Sequence, residues 1–322
     1  MKKYMSVLLV LLMLAVLFPG CAAAEGEPVT IRLGSLKGPT TMGMVKLLSD
    51  NEAGLTANKY ESTVVANATE LMPLFLRGEL DVLALPVNAG SVLYNKSQAG
   101  ATLLAVNTLG VLYIVEKGGE TIQSVADLKG KTIYATGKST TPEYALSYLL
   151  TQNGLDIAAD VTMEWKSEAS EVVAQISTLD SAVALLPQPF VTVAQTKVEG
   201  LRVALDMTAE WANVGSTLIT GGLIIRTAFL EEHPEAVATF LEEYAASTQY
   251  VNENVEEAAA LVEQYIGVAA GVAKKAIPAC NIVCLTGEEM KEAAEKYLTV
   301  LFELNPDAVG GAMPGEGFYY LP

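Results

Sequence analysis

Short β-branched runs alternate with stretches of helical apolar spacing along most of this sequence, and a Gly-, Ser-, Thr- or Pro-bearing corner joins one to the next. The run "VTIRLGS" (29–35) leads into a helical pattern at 41–50. "YESTVVA" (60–66) leads into "ATELMPLFLRGE" (68–79), and "LDVLALP" (80–86) into "NAGSVLYNKS" (88–97). A second round starts at "KTIYAT" (131–136), where Pro142 opens a helix that stops at Gly154. "DVTMEW" (160–165), a helix near 168–178 and "SAVALLP" (181–187) repeat the order. Strands joined through helices cannot pair as hairpins, so this succession predicts parallel sheets with helices on both faces.

Two long strand-like tracts interrupt the alternation. "TLLAVNTLGVLYIVEKG" (102–118) carries the chain out of the first unit, and "VGSTLITGGLIIRTAFL" (214–230) carries it back. With crossings near 106–116 and 215–226, one lobe is expected from 28–108 together with 222–322, and an inserted second lobe from 109–221. The chain has 322 residues, 51% of them apolar, which exceeds what one compact core holds. The segment 234–322 reads as mostly helical, its Glu-rich stretches being the solvated faces of amphipathic helices.

Two corners share a composition. "SLKGPTTMGM" (35–44) and "TGKSTTPEYA" (136–145) each hold Gly, Lys, Pro and a threonine pair. A helix start presents unpaired N–H groups and the positive end of the helix dipole. Gly admits a close ligand, Pro presets the first helical turn, and hydroxyls donate or cap. Corners at "LPVNAGS" (85–91) and "LLPQPF" (185–190) fall at matching places in the two units, so each lobe is expected to supply two corners to one cleft. The expected ligand-binding residues are therefore Lys37, Gly38, Pro39, Thr40, Thr41, Pro86, Asn88, Ala89, Gly137, Lys138, Ser139, Thr140, Thr141 and Gln188, with Cys280 and Asn281 as neighbours from the returning segment. Lys37 and Lys138 suit an anionic group, and Tyr144 a ring. Turn-forming residues also serve any ligand-free strand-to-helix turn. The tail "GKS" at 137–139 is not a nucleotide loop, because position 132, where the first Gly belongs, is Thr. Trp165 and Trp211 read as packing residues.

The first 21 residues have the form of an export leader: "MKK", an apolar core through Phe18, then Pro19-Gly20-Cys21. Phe18-Pro19-Gly20-Cys21 resembles a bacterial lipobox, which makes Cys21 the lipidated first residue and 22–27 a tether; a plain signal peptide cleaved near 22–24 is the alternative. Loss of Lys2 and Lys3 takes the formal charge from −17 to −19, a surface unsuited to nucleic acid or anionic lipid. Cys280 and Cys284 can bridge across a turn but not along an extended strand. The single His233, before Pro234, reads as a solvated residue at a helix start. No cofactor and no metal set is called for.

The lipobox, "VADLKGKTIYATGKSTTPEYAL" (125–146), "LDMTAEWANVG" (205–215) and "HPEAVATFLEEY" (233–244) resemble the substrate-binding lipoproteins of bacterial ABC importers, nearest the sulfonate/taurine and thiamine-precursor group. The resemblance spans about 28–322. It implies the type II periplasmic binding protein fold, two α/β lobes on a two-strand hinge, with the ligand held by loops matching 36–41, 86–90 and 137–142. It further implies a small-molecule solute, a cognate ABC permease with its ATPase subunits, a monomer, and an extracytoplasmic place on the membrane through Cys21. Some thiamine-precursor relatives are enzymes that consume a His and use a Cys-rich iron motif; this chain departs from them on both counts. A solute receptor is thus the leading expectation, not an enzyme, and a membrane-tethered sensor on the same bilobal fold is the alternative.

Overall fold

The computed structural model describes residues 28–97 and 100–322. The expected leader, lipobox cysteine and tether (1–27) lie outside the described residues.

Among the described residues eleven strands form two sheets. The first contains β1 (Thr30–Leu36), β2 (Lys59–Val65), β3 (Val82–Leu85), β4 (Thr102–Leu109), β10 (Ile219–Ile225) and β11 (Ile282–Leu285), in the order β11-β4-β10-β3-β1-β2. The second contains β5 (Leu112–Lys117), β6 (Thr132–Thr136), β7 (Thr162–Lys166), β8 (Ala182–Pro187) and β9 (Leu201–Asp206), in the order β7-β6-β8-β5-β9. Within each sheet the three strands joined through helices are parallel: β1 with β2 and β3, β6 with β7 and β8. The remaining pairings are antiparallel, with β10 against β3 and β4 and β11 against β4 in the first sheet, and β5 against β8 and β9 in the second. Both sheets are therefore mixed: β10 and β11 run against the rest of the first, and β5 against the rest of the second.

The tract 102–118 does not run as one strand. It breaks at Gly110, leaving β4 in the first sheet and β5 in the second. A Cβ on Gly110 would stand 2.9 Å from Leu218 Cδ2 and closer still to Thr208, so the chain turns where only glycine fits. The return crossing occupies 214–218, and β10 begins pairing at Ile219 opposite Leu109. The expected boundary between 221 and 222 thus falls inside a strand that belongs wholly to the first sheet. The β-branched "VTVAQTK" (191–197) is helical, within Phe190–Lys197.

Buried side chains follow the expected periods. Helix Thr141–Gln152 buries Ala145, Leu146, Leu149 and Leu150, and helix Gly287–Leu304 buries Met290, Ala294, Tyr297, Leu298 and Leu301. One apolar cluster passes through both lobes, joining Leu83, Leu85 and Val87 to Ile114 and Leu185 by way of Trp211, Tyr297 and Leu301. Trp211 is fully buried, donates Nε1–H to Ala145 O at 3.2 Å, and has its ring 5.9 Å from that of Tyr297. Helix 287–304 is thereby a strap from the first lobe across the second.

Each lobe closes its outer end with a buried acid. Asp81, in the first, accepts from the Arg32 guanidinium at 2.6 and 2.7 Å and from Arg226 at 2.6 Å. Glu116, in the second, accepts from Arg202 Nε at 3.1 Å and from the Thr121 hydroxyl at 2.6 Å.

Candidate functional site

Parallel strands deliver their following helices to one edge of a sheet, and here the two such edges meet at the crossings. The corner after β1 is held from several sides. Lys37 N–H donates to Val65 O at 2.8 Å, extending the sheet by one residue. Gly38 has φ +138°, a conformation open to glycine, and no atom lies within 4 Å of the position its Cβ would take. Pro39 stands at the first position of the one-turn helix Pro39–Met42. The hydroxyls of Thr40 and Thr41 turn back to Leu36 O, at 3.2 and 2.5 Å, and Thr41 is buried. Thr40 O accepts from Asn107 Nδ2 at 3.0 Å, and Gly43 O from the Ser247 hydroxyl at 2.7 Å. The threonines are thus spent on shaping the corner, and its backbone faces open space at Gly38.

At the corner after β3, Pro86 precedes helix Val87–Lys96, and Ala89 N–H bonds back to Pro86 O at 2.9 Å. Asn88 donates through Nδ2 to Ala308 O at 3.1 Å, and its Oδ1 accepts from the Thr141 hydroxyl of the other lobe at 3.5 Å. After β6, Gly137 (φ +82°) and Ser139 (φ +60°) both take left-handed backbone. Thr140 donates its hydroxyl to Gly137 O at 2.6 Å, and Ser139 N–H bonds to Glu143 at 2.5 Å. Lys37 and Lys138 are exposed and make no ion pair among the described residues. Tyr144, half-buried, accepts from Asn305 Nδ2 at 3.2 Å across the lobes.

The fourth corner is the most enclosed. Gln188 is 5% exposed; its N–H donates to Val111 O at 2.9 Å and its Oε1 accepts from the Thr192 hydroxyl at 2.9 Å. The Gln188–Pro189 peptide is cis. Opposite, Asn281 (φ +45°) donates Nδ2–H to Gly110 O at 2.6 Å and accepts Leu109 N–H at 3.1 Å, so it braces the first crossing. The Thr220 hydroxyl donates to Leu109 O beside it. Cys280 is fully buried, its sulfur 3.7 Å from that of Met42. Cys280 and Cys284 are free thiols, and burial pushes them up to about 12 and about 11.

The structure therefore joins Asn88 with Thr141, and Thr40 with the strand that crosses at Gly110. Gln188 stands apart from them, lining a cavity of about 300 Å³ between the lobes, where Tyr113, Thr192 and Gln195 face Lys275 and Ala279. Residues 37–41 and 137–141 do not line it. Larger cavities, about 500 and 580 Å³, sit at the outer end of the second sheet around Lys131 and Arg202, away from every corner. The sequence reading missed Asn107, Tyr113, Thr192, Lys275 and Asn305. Asn107 carried a usable signal, an amide inside the apolar run 103–106 and 109–115, since a polar group there must find a partner. Tyr113 reads as one more apolar residue of its strand, and Thr192, Lys275 and Asn305 as ordinary helix or helix-end residues, until the fold brings them together.

Residues 55–247 match the family described as the phosphonate periplasmic substrate-binding protein of ABC transporters. No curated protein matches the chain. Among solved structures, an ABC transporter from Parabacteroides distasonis is 25% identical, with TM-score 0.77 over 91% of this chain and 99% of its own. The periplasmic aliphatic sulphonate binding protein SsuA from Escherichia coli is 17% identical, with TM-score 0.73 over 92% and 93%. The periplasmic nitrate-binding protein NrtA from Synechocystis PCC 6803 is 13% identical, with TM-score 0.64 over 88% and 84%. These likenesses assign the type II periplasmic binding protein fold. Among the described residues no helix is long and apolar enough to cross a membrane.

Proposed function

The chain belongs to the phosphonate ABC-transporter family of periplasmic substrate-binding proteins, and from that membership we propose that it captures a small organic solute, a sulfonate, a pyrimidine or thiamine precursor, or a related small organic acid, by closure of its lobes. It is the substrate-binding component of an importer and works outside the cytoplasmic membrane with an ABC permease. The permease's ATPase subunits complete the assembly, and a lipid on Cys21 tethers the monomer to the membrane. The protein acts by binding and release, without chemistry on the solute.

The observation that carries this reading is the pairing of corners across the lobes, with the Thr141 hydroxyl against Asn88 Oδ1. A ligand seated there touches both lobes, so its affinity is higher for the closed form, which is the condition for a ligand to drive closure. The lobes turn about 110 and 214–218, where Asn281 and Thr220 brace the crossing carbonyls. Lys37 and Lys138, unpaired on opposite lobes, favour an anionic end on the solute.

Thermal unfolding of the unlipidated chain from Ala22, against alkylsulfonates, taurine, pyrimidines, thiamine and aromatic carboxylates, tests this. A solute at 100 times its Kd adds about 2.7 kcal/mol, and Lys37→Ala with Lys138→Ala weakens an anionic one. A folded, ligand-free protein unmoved by the whole panel counts against the proposed solute class. For the tether, Cys21→Ser is expected to release the protein from membranes of expressing cells; retention of the variant there removes the anchor.

A further inference from the structure

The interlobe cavity beside helix Phe190–Lys197, at the fourth corner, has a property that the other three lack: a side-chain donor without a protein partner on an enclosed residue. Gln188 is 5% exposed, and the Thr192 hydroxyl bonds to its Oε1 at 2.9 Å. That bond orients the amide so that Nε2 is the end left over. No described residue accepts from Nε2, and Gln188 lines the cavity. A donor presented by an enclosed side chain is already oriented, so a bound acceptor gains its hydrogen bond at a small cost in ordering. On the opposite wall is Lys275 of the other lobe, which forms no ion pair among the described residues although its neighbour Lys274 pairs with Glu256. In a chain of net charge −17, a cation left unpaired at a cavity rim is a local reversal of the surface potential.

We propose that this cavity is a second binding site, taking a small anion whose acceptor-only group, a carboxylate or an oxoanion, receives hydrogen bonds from Gln188 Nε2 and faces the Lys275 ammonium. Its volume of about 300 Å³ suits a molecule of a few heavy atoms. Lys275 and Ala279 come from the first lobe and Gln188, Thr192 and Tyr113 from the second, so an anion here bridges the lobes on its own account. Among the described residues one protein hydrogen bond spans this cavity, from Tyr113 OH to Ala279 O at 2.9 Å. The site goes beyond the solute reading, since Lys37–Thr41 and Gly137–Thr141 take no part in it.

The test titrates the full chain with malonate and with methylphosphonate while following the Gln188 side-chain amide by nitrogen-resolved NMR. That signal is expected to move saturably with both anions and not with trimethylammonium. Gln188→Glu keeps the acceptor that Thr192 needs, so the fold is retained, but it removes the donor and adds a repelling charge. Roughly ten- to a hundredfold weaker anion binding is expected for it, and a smaller loss for Lys275→Gln. Lys37→Ala with Lys138→Ala leaves this binding unchanged. A Gln188 amide that stays still, or a Gln188→Glu chain that binds both anions as well as the parent, overturns the proposal. Anion binding that depends on Lys37 and Lys138 alone also overturns it, while leaving the solute reading intact.

Discussion

Asp81 shows how one side chain can hold the end of a lobe. Burial alone would raise its carboxyl, yet hydrogen bonds from Arg32 and Arg226, with the Arg32 backbone N–H, together hold it below the ordinary aspartate value. A depressed carboxylate stabilises the fold above its unfolded pKa, near 3.9, and the contribution disappears as pH falls through the folded value. Acid denaturation should therefore steepen below about pH 4. Asp81→Asn leaves two partly buried guanidinium groups without their carboxylate and is expected to cost about 3 kcal/mol at neutral pH, read by urea unfolding. It should also flatten the acid limb; a variant with the parent's acid profile would assign that limb to other carboxylates. At this scale the sequence was only partly legible. Gly38, Pro39 and Gly137 declare themselves because backbone conformation selects the residue type. Cys280 did not: a thiol beside an expected cleft residue gives no sign of which way it turns, and the Met42 contact lies 238 positions away.

Among the elements, the β1 and β6 corners were readable because a strand, a turn and a helix start each leave a local mark. The break in 102–118 was less so, since β-branched residues continue on both sides of Gly110 and the crowding by Thr208 and Leu218 is tertiary. Gly110→Ala should force β4 and β5 apart at the crossing and cost about 1–3 kcal/mol by thermal unfolding, the range for overpacking a close approach. A neutral Gly110→Ala would mean that the segment shifts freely and that the crossing is not set by glycine. The strap helix 287–304 was legible as an amphipathic helix, yet its partner was not. Met290, Tyr297 and Leu301 specify an apolar stripe, and nothing local says that the stripe rests on Trp211 of the inserted lobe.

For the whole molecule, the βα alternation and two long tracts made a bilobal α/β chain readable, while the sharing of one core did not follow from them. Because the cluster around Trp211 and Tyr297 is continuous through both lobes, calorimetry should record a single endotherm with matching calorimetric and van't Hoff enthalpies. Two separated transitions would show that the lobes melt independently. The strand order carries a consequence of another kind. β10 lies in the middle of the first sheet, between β3 and β4, and β11 closes its edge. A growing polypeptide therefore holds the two halves of that sheet apart until Ile219 has been made, and the inserted lobe stands complete before the outer one can close. The molecule is finished in an order opposite to the one in which its sheets begin.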